Sequence, residues 1–176
     1  DYPKIAEFVV SIACRYLGQA YLQIGKHEEA ISCLKEALGS TTIFDPQKIR
    51  HDIETSLLLG EVYLEQGAIK EVNQIIEEVK KALSVNNRQH FWCWAYLSCL
   101  EAKIAYHHKE WKVGHDKLGE AVVWAVKWHP VLLEKDIQQR IAKQIDLLRQ
   151  SSPEEAIPLC DYLISLAQQD WELQGK

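Results

Sequence analysis

The sequence predicts an all-α chain of four antiparallel helical hairpins, and three observations predict it. A pattern of small and large residues recurs every 42 positions, prolines stand ahead of long apolar-periodic runs, and no strand-like alternation competes.

The repeat starts in the stretch LGQAYLQIGKHEEAISCLKEAL, residues 17–38. Packed helical hairpins need small side chains where their helices cross. Gly18 is matched downstream by Gly60 and Ala102, and Ala30 by Val72, Gly114 and Ala156. Leu34 is matched by Ile76, Leu118 and Cys160, and Ala37 by Val79, Ala121 and Leu163. The second copy, LLGEVYLEQGAIKEV at 58–72, repeats the first as L-G-x-x-Y-L-x-x-G-x-x-x-E-[AV].

Each element has its own punctuation. Pro3 opens a helix over 3–24, and Gly25 turns it into a second helix over 27–39 that stops at Gly39. Asp45 is placed to cap, and Pro46 to open, a helix over 46–66; Gly67 turns it into 69–84. The third hairpin is expected at 88–108 and 111–127. The fourth is expected at 131–150, after Pro130, and at 153–172, which the capping box Ser152-Pro153-Glu154-Glu155 opens. The repeats, about 3–39, 46–84, 88–127 and 131–172, form one expected domain over 1–176. A lone hairpin cannot bury its apolar face, so the copies are expected to stack into a right-handed superhelix with one concave and one convex face.

Composition narrows the function. The chain has 176 residues, 47% apolar and 26% charged, and suits a globular domain with an ample core. Its net charge of −5 divides as −3 over residues 1–88 and −2 over residues 89–176, with no basic stripe, so direct nucleic-acid binding is not expected. Five cysteines, an odd number with no CxxC pair, read as free thiols of a reducing compartment, cytoplasmic or nuclear. The most apolar stretch, FWCWAYLSCL at 91–100, is followed by Glu101 and Lys103 and is too short for a membrane span. The missing initiator Met and the lack of a signal-peptide pattern suggest a fragment of a longer intracellular protein.

The motif L-G-x-x-Y-L-x-x-G-x-x-x-E-A, followed by Leu34 and Ala37, resembles the tetratricopeptide repeat. The resemblance is strongest over 11–84, weaker over 95–127 and weakest over 131–172. Two features depart from the common pattern. The 42-residue period exceeds the usual 34, as in the extended repeats of kinesin light chains, of the cohesin-loader subunit and of some bacterial regulators. Gly39 also stands where a proline usually closes the second helix.

The resemblance implies a concave groove lined by the first helix of each hairpin. Copy one would contribute Ile12, Arg15, Gln19, Leu22 and Gln23; copy two Glu54, Leu57, Glu61, Leu64 and Glu65; copy three Tyr96, Cys99, Lys103, Tyr106 and His107. In copy four Ile141, Ile145 and Leu148 are expected to pack inward instead. Of the family's carboxylate clamp for chaperone tails only Arg15 is kept, the matching positions being Gln19, Leu58, Tyr96 and Leu100. The acids among these residues, with Leu and Tyr, would suit a partner segment bearing basic and apolar anchors, although a solvated face is the commoner meaning of such carboxylates.

Residues that could carry chemistry have plainer readings. Phe91, Trp92, Trp94, Tyr96, Tyr106, Trp111, Trp124 and Trp128 read first as packing aromatics; the alternative is an exposed hot-spot patch of Trp92, Tyr96 and Tyr106. His90, His107, His108, His115 and His129 gather near Cys93 and Cys99 but match no zinc signature, so no metal or other cofactor is expected. Cys99 and His107 read as a buried thiol beside a surface imidazole rather than a dyad, and no nucleophile elbow, phosphate loop or paired-acid motif is present, so the chain is not expected to be an enzyme. The expectation is a non-enzymatic interaction module that holds a protein segment in its groove. The alternatives are a structural arm of a larger assembly, like cohesin-loader or separase superhelices, and a bacterial peptide-sensing regulator.

Overall fold

The computed structural model describes residues 2–39, 46–85, 91–127 and 134–174, all of them in helices or the turns between them. Eight helices follow one another: α1 (Tyr2–Gln23), α2 (His27–Gly39), α3 (Pro46–Glu65), α4 (Ile69–Val85), α5 (Phe91–His107), α6 (Trp111–Lys127), α7 (Glu134–Ser151) and α8 (Pro153–Gln174). Asp45, residues 88–90 and residues 128–133, which include Trp128, His129 and Pro130, lie outside the described residues, as does His90. Where both can be compared, expected and observed ends agree to within about two residues, and α1 and α3 stop at the turns that Gly25 and Gly67 mark.

The chain divides into two compact units, residues 1–87 and 88–176. In the first, α1 packs on α2 and α3, α2 on α3, and α3 on α4. In the second, α5 packs on α6 and α7, α6 on α7 and α8, and α7 on α8. Both units thus place hairpin beside hairpin.

Burial follows the 42-residue period. Ala30, Leu34 and Ala37 are fully buried, and so or nearly so are Val72, Ile76, Val79, Leu118, Ala121 and Ala156. Burying a leucine such as Leu34 or Leu118 contributes roughly 2 kcal/mol. Gly18 shows why the period keeps small residues: an added Cβ would lie 2.7 Å from Leu34 Cγ, so α1 and α2 cross where no side chain fits. In the third copy the roles are exchanged, and the missing side chain of Gly114 makes room for the ring of Tyr106.

Turns repeat as closely as the core. At the end of α1 the Gly25 N–H donates to Leu22 O (3.0 Å) and the Lys26 N–H to Tyr21 O (2.9 Å), a Schellman closure. Gly67 and Ala68 bond in the same way to Leu64 and Tyr63, and Lys109 and Glu110 to Tyr106 and Ala105. Such a closure needs a left-handed residue, and φ is 73° at Gly25, 74° at Gly67 and 60° at Lys109. The fourth hairpin turns more tightly. Ser152 alone separates α7 from α8, and its N–H donates to Leu148 O (2.7 Å).

Candidate functional site

In unit 1 the first helices α1 and α3 border an open recess of about 280 Å³, lined by Phe8, Ile12, Arg15, Arg50, His51 and Glu54. Three of these, Ile12, Arg15 and Glu54, are expected groove residues. The recess exists because α1 and α3 carry corresponding faces one period apart and pack side by side. Arg15 forms an ion pair with Glu54, and Arg50 Nε donates to the other Glu54 oxygen at 3.2 Å. The Arg15 guanidinium also lies over the Tyr16 ring, 4.9 Å from its centroid.

The floor of the recess is polar and closed. His51 is buried, meets the Phe8 ring edge-on with centroids 5.8 Å apart, and has Nε2 2.8 Å from Ser11 Oγ. Ser11 donates its own proton to Ala37 O at 2.7 Å, so its oxygen must accept from a protonated Nε2. A nucleophile–base pair needs the opposite arrangement, with the hydroxyl proton on the imidazole. The Ser11–His51 pair is therefore a polar bolt joining α1, α2 and α3. Burial, with Arg15 and Lys48 nearby, pushes the His51 pKa down to about 4, against a weaker opposing effect of the Ser11 backbone.

The other expected groove residues divide by exposure. Gln23 and Glu65 are exposed, and Gln19 and Lys103 are half-buried. Leu57, at 0% exposure, Tyr96, at 4%, and Glu61, at 8%, are turned inward. Tyr96 lies beneath the Arg140 guanidinium, 3.6 Å from its ring centroid, so α7 covers it. Tyr106 is half-buried against Trp111, His115 and Gly114, and burial, helped by Cys99, raises its pKa. With Trp92 and Tyr96 buried and Tyr106 half-buried, these three are packing residues; Trp94 and Trp124 stack with centroids 5.9 Å apart.

Charge is also arranged inwardly. Glu54 is held by two arginines, and Glu65 accepts from or pairs with His27 at 3.1 Å across α2 and α3. These carboxylates have ligands within their own unit, which removes the charge argument for a basic partner. Cys99 is buried in the core cluster with Ala102 and Leu118, whereas His107 is exposed and set against His108. Among the described residues no three His, Cys, Asp or Glu side chains gather as a metal ion would need. No described helix is long and apolar enough to cross a membrane.

The polar bolt was not foreseen, yet a signal for it is present. Ser11 occupies the position taken by Ile53, Ala95 and Ile137 in the later copies, all of them buried. A serine there must find partners inside the protein, and His51, facing the same junction, supplies one. Compared with family models, with curated proteins and with solved structures, the chain matches none.

Proposed function

We propose that the chain is a non-enzymatic interaction module of tetratricopeptide-like hairpins stacked in a right-handed superhelix, which holds a segment of another protein along its first helices. The observation that carries this reading is the recess between α1 and α3, open to solvent and lined by Ile12, Arg15 and Glu54. Its Phe8 and Ile12 suit an apolar side chain of the segment, and the Arg15–Glu54–Arg50 cluster suits polar main-chain groups beside it. Paired helices set these groups in place beforehand, so the ordering cost falls mainly on the bound segment.

Photo-crosslinking in a lysate tests the reading. A benzophenone amino acid at Gln19, one turn beyond Arg15, should trap a defined partner. The same group at Gln74, on the exposed face of α4, should not. Equal trapping at both positions would remove the assignment.

A second reading, the structural arm of a larger assembly, draws support from a different observation. Of the ten large apolar side chains that stand exposed among the described residues, seven are on α1 and α8, and Ile24 stands in the turn directly after α1.

A further inference from the structure

A helix face that meets only water is normally polar, as α4 illustrates with exposed Lys70, Glu71, Asn73, Gln74, Glu77 and Glu78. The outer face of α1 is different. Val9, Tyr16 and Leu17 are exposed there, Val9 at 58%, with the small exposed Ala13 and Ala20 among them, and Ile24 in the turn that follows continues the stripe at 67%. At 100° per residue the centre of this stripe lies roughly a quarter turn or more from Ile12, Arg15 and Gln19, with Tyr16 at its near edge under Arg15, so the stripe is centred on a surface beside the recess.

One period later the same positions on α3 are His51, Leu58, Leu59 and Gln66. The first three are buried, and Gln66 donates to Glu28 of α2 at 2.9 Å. His51 meets Phe8 and Ser11 of α1, whereas towards its C-terminal end α3 turns this face to the second helix of the preceding hairpin. That second helix applies the side carrying Glu28 and Lys35, the latter over the Tyr63 ring at 5.9 Å; by helical spacing Ile31 and Leu38 share this side.

The matching positions on α8, three periods on, are Ile157, Asp161 and Ile164 for Ile31, Lys35 and Leu38. Ile157 is 66% exposed and Ile164 55%. So α1 and α8 present the two unmet halves of the contact that α2 and α3 already make. Charge fits as well. Tyr21 of α1 corresponds to Tyr63, and Lys26 lies over its ring at 5.8 Å, where the exposed Asp161 of α8 would arrive in place of Lys35.

We propose that α1 is a docking surface for α8 of a second copy of this chain, joined head to tail in the geometry of the α2–α3 contact. It stands on the repeat geometry, whether or not the recess holds a segment. A contact of this kind is heterologous, using a different patch on each copy.

Sedimentation velocity over a range from micromolar to submillimolar protein tests it. The wild type should self-associate reversibly. Leu17→Glu on α1 and Ile164→Glu on α8 should each weaken association about tenfold or more, since each puts a charge into an apolar contact. Mixed together, the two variants should form a one-to-one dimer and nothing larger, because only one intact pair of faces remains. Circular dichroism checks that both stay helical, with Ile24→Lys and Ile157→Lys as substitutes should either lose structure. A wild type that stays monomeric throughout would overturn the proposal and leave the stripe to a different partner. Association abolished by Leu17→Glu, untouched by Ile164→Glu and, in the mixture, confined to the Ile164→Glu copies would also overturn it, in favour of α1 pairing with itself.

Discussion

Gly67 and Lys109 hold the same left-handed position in the same turn one period apart, with φ of 74° and 60°. Only glycine adopts that conformation without steric cost, so the third hairpin tolerates a residue that its own backbone disfavours. Lys109→Gly should raise stability by about 0.5–1 kcal/mol, and Gly67→Lys should lower it by about 1–2 kcal/mol. Urea unfolding of the two variants checks the pair; effects of equal sign would contradict a shared turn geometry.

Gly114 and Tyr106 should behave as one unit. A methyl group at Gly114 would enter the Tyr106 ring, so Gly114→Ala is expected to cost about 1–3 kcal/mol. Adding Tyr106→Leu should recover part of that loss, giving a double-mutant coupling of about 1 kcal/mol or more. Additive losses would place the ring elsewhere.

Acid should loosen unit 1 through His51. Its pKa of about 4 lies below the ordinary 6.5, so the folded state refuses a proton that the unfolded chain accepts. The stability this provides is complete above pH 6.5 and is lost as pH falls from 6.5 towards 4, by about 2–3 kcal/mol. Half-buried Asp52, whose pKa is raised by burial against the pull of Lys48, tilts the opposite way at the acid end. Comparison with His51→Gln isolates the histidine. Its stability should change less over this range, and an unchanged slope would mean that another group sets it.

Glu54 is expected to matter for folding more than Glu65 does. Removing Glu54 leaves Arg15 and Arg50 around an empty place in a partly buried recess, at a cost of about 1–3 kcal/mol, whereas Glu65→Ala breaks one exposed pair worth about 0.5 kcal/mol or less. Thermal melts of Glu54→Ala and Glu65→Ala compare them directly.

Much of the architecture was legible because its signals are local. Gly25 and Gly67 mark turns, Pro46 and Pro153 mark helix starts, and the small residues Gly18, Ala30 and Gly114 mark crossings, each interpretable within a few positions. The site was less legible, because exposure depends on neighbours distant in sequence. Leu57 and Tyr96 have the spacing of groove residues but are enclosed, Tyr96 by Arg140 from another hairpin, 44 positions away. The pairing of Glu54 with Arg15 likewise joins residues 39 apart, and no motif of one helix announces it. Pro158 marks no helix boundary; it lies inside α8 with no N–H to offer the Glu154 carbonyl, and the helix continues around it.

The Schellman closures at Gly25, Gly67 and Lys109 bind residues no more than five positions apart, and each is followed by the same first bond of the next helix, Ala30 to Lys26, Val72 to Ala68 and Gly114 to Glu110. In these three turns, the instructions for stopping one helix and starting the next are thus carried inside one short segment. Residues 26–67 accordingly form a cassette that begins and ends at equivalent points of two turns. A duplicate inserted after Gly67 would bring its own turn, crossing and core, so that duplication in register could lengthen the chain without requiring a new junction.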